Sequence, residues 1–462
     1  MSTLPRALSS LSNRFTGISS SVIRVESSTA RNGCRPNSTI SFSLPASAIA
    51  RLSTFQVHAT VTCEATGDSI ALIPDDIMGL IQRCEISCNG TLISGGSTYY
   101  NVINAAKRSL TGKRADCIVQ HGELITSATD SYGITSSDTT SGDGTVTSPP
   151  TRAPYQCGQS VDPAKQGEKA DVSFGGWEYG MLACDQEYVD LELLGTLTVK
   201  LTLASAPVLV NALKDANGLI DPGNVGTGAC SYTLDGIFAT MEIITVNNMA
   251  YDSVLSQQIQ TAGYVPITFK EAQCTRSSHN SLTRVNVSSR SLDRILVGFR
   301  DADLDVGGVS HQDVGSKIDS YQPYGFKTAA INVFGSDAYG VYDPKIHFDL
   351  GGTRFPQFES AANKEWVMLK KQALYDDEKK DTRYQFNESG LSCYKVSNIL
   401  AAKLNLAGSS SAELATGIDS RGAALTLSVN STGVNQGAVC YFITECSSLL
   451  MAGQGRQLQV LR

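Results

Sequence analysis

The sequence predicts an all-β protein: two tandem eight-stranded β-sandwiches, with short helices confined to the connections. Three observations predict it. Apolar residues recur with a period of two far more often than with a helical period. The 41 Gly, with abundant Ser and Thr, supply turns throughout. The two halves of the 462-residue chain carry similar strand patterns in the same order. A single all-β domain runs to about 200–250 residues, so two of them fill the chain. With 18% charged and 41% apolar residues, the composition is too apolar for a disordered chain and too rich in turn formers for a helical bundle.

The elements follow in order. Residues 1–36 are Ser-rich and hold Arg6, Arg14, Arg24, Arg31 and Arg35 against the single acid Glu26. This basic N-terminal arm of +4 precedes a body of −11, within a total of −7. Such an arm could meet nucleic acid, a membrane or a neighbouring subunit, or stay a solvated terminus. The first sandwich, 37–262, shows alternation at 40–44, 55–63 and 197–203, and helical spacing at 98–110. Its polar stretch 122–165 is too long for an ordinary connection and reads as a surface excursion. Helical spacing at 252–261 leads to a junction near Ala262. The second sandwich, 263–462, alternates at 346–350 and 425–429, with helical patterns at 360–375 and 396–404.

Three correspondences suggest a duplication. Segment 37–45 matches 280–288, and each precedes a second alternating strand, around Phe55 and around Leu296. Segment 85–93 matches 347–355, each a strand and a Gly turn expected to lead into a short aromatic helix (Tyr99 and Tyr100; Trp366). Segment 194–203 matches 421–429. The spacing between partners shrinks after the second pair, as an insertion at 122–165 in the first half alone requires.

Chemistry is sparse. Net negative charge excludes a phosphate-binding surface spread over the whole molecule. The apolar runs fall far short of the ~20 residues of a membrane-spanning helix, and residues 1–10 lack an apolar signal core, so a soluble chain made inside the cell is expected. The 12 Cys have no metal-site spacing. Cys63 continues the face of Phe55, Val57, Ala59 and Val61, and Cys84 and Cys88 share one face of a strand, so both sets read as small buried hydrophobes. The five His, at 58, 121, 279, 311 and 347, are scattered. Gly112-Lys113-Arg114 lacks the preceding Gly and the following hydroxyl of a phosphate loop. Segment 308–312 lacks the last Gly of a nucleophile elbow. The acidic runs 75–76, 301–303 and 376–378 read as solvated turns. No catalytic, cofactor-binding or metal-binding residue is assigned. A glycosidase can draw its two carboxylates from distant strands, so an enzyme is not eliminated by pattern alone.

Taken together, the segments 81–93, 241–255, 285–299, 394–400 and 440–446, in their order along a duplicated strand-rich chain, resemble the double jelly-roll major capsid proteins of icosahedral double-stranded DNA viruses. The short length resembles the compact members of polinton-like viruses and virophages. The resemblance implies two tandem jelly-roll sandwiches and a structural, non-enzymatic virion protein without cofactors. Three copies would form a homotrimeric, pseudo-hexagonal capsomer tiling an icosahedral shell. Its partners would be itself, neighbouring capsomers, penton proteins and minor capsid proteins, with the basic arm contacting a membrane or genome from inside. The aromatic segments 97–101 and 321–326 are candidate contact loops, or core packing. The competing readings are a viral spike, minor capsid protein or β-sandwich carbohydrate-binding module, and then a glycoside hydrolase.

Overall fold

The computed structural model describes residues 18–67, 69–72, 77–95, 98–111, 169–214, 220–221, 228–246, 249–278, 282–300, 345–361, 399–404, 417–422, 424–430 and 439–462. The first half supplies β1 (Ile18–Glu26), β2 (Thr39–Ser43), β3 (Ile49–Ala65), β4 (Ser69–Leu72), β5 (Ile81–Cys88) and β6 (Thr91–Ser94). After α1 (Tyr100–Thr111) come β7 (Lys169–Phe174), β8 (Val189–Asp190), α2 (Leu191–Leu194), β9 (Leu197–Leu203), β10 (Val210–Lys214), β11 (Ile220–Asp221) and β12 (Cys230–Val246). The helix α3 (Met249–Ala262) stands between the halves. The second half supplies β13 (Tyr264–Ser278), β14 (Leu282–Asn286), β15 (Leu292–Arg300), β16 (Lys345–Leu350), β17 (Thr353–Ala361), β18 (Ile399–Lys403), β19 (Ala424–Asn430), β20 (Val439–Gly453) and β21 (Leu458–Leu461).

Alternation builds these strands. In β3 the residues Ala50, Leu52, Phe55, Val57, Ala59, Val61 and Cys63 are buried, while Gln56, His58, Thr60 and Thr62 are only half-buried. The ladders are antiparallel and fall into the same two orders in each half. One sheet runs β1-β12-β3-β7 in the first half and β13-β20-β15-β18 in the second. The facing sheet runs β2-β9-β5-β6 in the first and β14-β19-β16-β17 in the second. Counting the eight principal strands of each half along the chain, these orders are 1-8-3-6 and 2-7-4-5 both times. That is the jelly-roll arrangement, in which Greek-key connections carry the chain between two packed sheets. The duplicated segments fall on matching strands: β2 with β14, β3 with β15, β5–β6 with β16–β17, and β9 with β19. A small third sheet, β11-β10-β4, has no counterpart among the described residues of the second half.

Three expectations change. Residues 18–26, assigned by charge to the arm, are β1, paired along its whole length with β12. Ile23 and Val25 pack on the core while Arg24 lies outward, a pattern that the run Ser19–Ser20–Ser21 hides in the sequence. The helical spacing at 396–404 contains the strand β18. Ala401 and Ala402 are both buried, so neighbours on both sides override the helix propensity of Leu, Ala and Lys. After the Gly turn of each matched hairpin a return strand comes first; in the first half the expected helix then follows as α1, which starts at Tyr100, and in the second half its counterpart lies outside the described residues. Asn89 and Gly90, and likewise Gly351 and Gly352, have positive φ, the two-residue turn that joins strands directly. The expected helix at 360–375 and loop at 122–165 lie outside the described residues, apart from 360–361 at the end of β17.

The core of the first jelly roll holds an aromatic row. Phe42 meets Phe55 edge-on at 5.8 Å, and Trp177 packs on Phe55 and Tyr100 while its indole N–H donates to Phe55 O at 2.7 Å. The same cluster takes in Leu296, Ala401, Tyr441, Ile443 and Leu450 from the second half. A separate cluster, with Ile295, Val297, Phe442 and Cys440, fills the second sandwich. The sheet containing β20 is therefore covered on both faces. Accordingly β20 is buried without interruption from Val439 to Cys446, as expected for a strand with no solvent side.

Candidate functional site

The residues tested for chemistry do not converge. His58 sits on the outer face of β3, its ring nitrogens bonded to Ser173 Oγ (2.7 Å) and Thr240 Oγ1 (2.8 Å). Its ring stacks on Phe238 at 4.9 Å, and the Arg24 guanidinium covers that phenyl ring at 4.0 Å. Partial burial, and then the Arg24 charge, hold its pKa below the usual 6.5. Cys63, Cys84 and Cys88 are buried free thiols, and burial pushes Cys84 up to about 12. Among the described residues no group of three His, Cys, Asp or Glu side chains is placed to hold a metal. His121, His279, His311 and the acidic runs at 75–76, 301–303 and 376–378 lie outside the described residues.

The concentrated polar chemistry lies where the two jelly rolls meet. The connection after β7 runs along the free edge of β13. Gly180 N donates to Lys270 O (2.8 Å), Asp185 N donates to Thr268 O (3.0 Å), and Thr268 N donates to Gln186 Oε1 (3.2 Å). An edge strand that would otherwise template foreign pairing is thereby occupied. Behind it, Arg294 on β15 and Glu445 on β20 form an ion pair at 3.5 Å with side chains 2% and 1% exposed. The Tyr179 hydroxyl, from the first jelly roll, donates to Glu445. Burial and the neighbouring carboxylate raise the Tyr179 pKa, so it stays protonated as the donor.

A second charged contact lies alongside. Glu271 on β13 accepts from Gly95 N (3.1 Å) and pairs with Arg462 (3.1 Å), whose other nitrogen donates to Ile93 O (2.9 Å). Burial raises the Glu271 pKa, against the opposing pull of Arg462 and the Gly95 N–H. Of the segment 97–101, expected as a contact loop or as core packing, residues 98–101 are described: Tyr99 meets Tyr441 edge-on at 5.8 Å across the two jelly rolls, and Tyr100 is buried against Trp177. The segment 321–326 lies outside the described residues. Sequence reasoning missed Arg294, Glu445 and Glu271, because a charge in an alternating strand reads as solvent-facing. The signal that could have found them is the unbroken apolar run 439–443 just before Glu445.

Among the described residues, the corresponding sheet of the first jelly roll has no such cover. Its outer face presents Ser20, Val22 and Arg24 on β1, Thr240 and Glu242 on β12, Arg51 and His58 on β3, and Asp171 and Ser173 on β7. Val22 is 72% exposed.

No protein-family model matches the sequence, and no curated protein matches it. Solved structures do. The chain is similar to the Faustovirus major capsid protein, with 12% identity and a TM-score of 0.55 over 95% of this chain and 91% of that one. It is similar to PBCV-1 VP54, in a structure fitted into a reconstruction of the virophage Sputnik, with 10% identity and a TM-score of 0.52 over 97% and 98%. A chain of the Sputnik virophage structure matches with 12% identity and a TM-score of 0.51 over 96% and 89%. At these identities the likeness is one of fold, and it extends over both jelly rolls and the helix between them. This chain has the double jelly-roll fold of icosahedral-virus major capsid proteins.

Proposed function

We propose that the protein is a major capsid protein, a structural component of the virion and not an enzyme. The observation that carries the reading is the side-by-side docking of two jelly rolls with one strand order, over the whole length shared with known capsid proteins. The docking is head-to-tail: the second jelly roll offers the outer face and edge of its β13 sheet, and the first offers the connection after β7. A head-to-tail contact propagates until a rotation closes it. Three copies, giving six jelly rolls, close a pseudo-hexagonal homotrimer suited to tiling a shell. The units of this arrangement are residues 18–246 and 264–461, joined by α3. Residues 1–17 would then form the basic arm, contacting a membrane or genome beneath the shell, and neighbouring capsomers, penton and minor capsid proteins would complete the partners. Sedimentation and negative-stain microscopy of the purified chain test this. The expected result is a particle of three chains with a hexagonal outline; a monomer at every concentration opposes it.

A further inference from the structure

Each jelly roll carries the same short row of residues across its first, last and third strands. In the second jelly roll the row is Ala272 on β13, Glu445 on β20 and Arg294 on β15, joined by the registers Ala272↔Glu445 and Arg294↔Glu445. In the first it is Val22 on β1, Glu242 on β12 and Arg51 on β3, joined by Val22↔Glu242 and Glu242↔Arg51. In both, the arginine is the third residue of its strand and pairs with the glutamate at 3.5 Å.

The difference between the rows lies in what covers them. Ala272 is 8% exposed, and its row lies beneath the first jelly roll with Tyr179 bonded to the glutamate. Val22 is 72% exposed, and the Arg51 and Glu242 side chains are 39% and 24% exposed. The edges differ in the same way. The β13 edge carries main-chain bonds from residues 180 and 185, whereas β1, a nine-residue edge strand, receives no such bond among the described residues. A long exposed edge beside an exposed valine and a desolvable ion pair is the profile of an interface with its partner missing.

We propose that the outer face of the β1-β12-β3-β7 sheet, centred on Val22 and the Arg51–Glu242 pair, is the docking surface for the second jelly roll of another copy of this chain. The inference rests on the head-to-tail trimer reading and names its surface: the contact made once inside each chain is repeated between chains. Burial then converts Arg51–Glu242 from a solvated pair into a desolvated one, which couples strength of association to correct register.

The test uses the full chain. Val22→Arg, at an exposed position, is expected to keep the far-ultraviolet circular dichroism of the wild type while weakening trimer formation by roughly tenfold or more in sedimentation. Arg284→Glu, on the exposed face of β14, is expected to leave the trimer intact. In the wild type, hydrogen exchange of the β1 amides is expected to slow on passing from dilute monomer to trimer. A trimer that survives V22R with β1 amides exchanging as fast as in the monomer overturns this surface and leaves the trimer reading standing. A trimer broken by R284E and untouched by V22R places the contact elsewhere and overturns it too. A wild-type chain that is monomeric throughout removes both readings.

Discussion

Two arginine–glutamate pairs of the same separation, Arg294–Glu445 and Arg51–Glu242, differ in what surrounds them, Arg51 also reaching the exposed Glu187 at 3.6 Å, and they should respond differently to mutation. Removing Arg294 strands Glu445 in a dry site, a loss on the order of 3–5 kcal/mol. Removing Arg51 leaves Glu242 partly in water, and under dissociating conditions the cost should stay below about 1 kcal/mol. Urea unfolding of Arg294→Ala and Arg51→Ala in dilute protein makes the comparison. His58 adds a pH dependence. Its folded pKa lies below the 6.5 of the unfolded chain, so the unfolded state binds the proton more readily. Stability is then full above pH 6.5 and falls as pH drops from 6.5 through the folded value. His58→Asn should flatten that part of a melting-temperature profile between pH 5 and 7. At this scale the cysteines were readable from sequence, because Cys63, Cys84 and Cys88 simply continue apolar faces. With its pKa near 12, Cys84 should resist alkylation at neutral pH until the protein unfolds, which mass spectrometry can follow.

Among the elements, the strands with one solvent face were visible and those without one were not. The strands β2, β3, β9, β16 and β19 alternate cleanly, and the expected segments fall within or across them. The strand β18 is buried on both sides, so its alternation vanishes and its Ala and Leu mimic a helix. The strand β1 is disguised the opposite way, by serines and a charge on its outer face. The hairpin β5–β6 matters beyond its own sheet, since Gly95 directly after it donates to Glu271 of the other jelly roll. Gly95 has φ of +99°, and a Cβ there would lie 2.2 Å from Cys84 O. Gly95→Ala should therefore cost about 2–4 kcal/mol, read by denaturant unfolding, and should loosen the Glu271 contact as well.

For the whole molecule, the duplication was legible as an ordered set of loose matches, because equivalent strands keep equivalent turns and inward residues. The orientation of one jelly roll on the other was not, since it depends on Tyr179, Glu271 and Glu445 meeting across long sequence separations. One apolar cluster spans both halves, so they should not melt independently. Calorimetry of the monomeric chain at neutral pH should show a single transition, and two resolved peaks would contradict a shared core.

The pairing of β1 with β12 also constrains synthesis. Ile18 faces Val246 in the finished ladder, so β1 waits for more than two hundred further residues to be made before it can find its partner. At about 5–20 residues per second, the ribosome needs roughly 10–50 s to deliver that partner. Throughout this interval the nascent segment carrying Val22 has neither neighbour, beside other nascent copies on the same messenger. The rate of translation, or a chaperone that shields this stretch, then helps decide whether chains meet as finished subunits or tangle before they are complete.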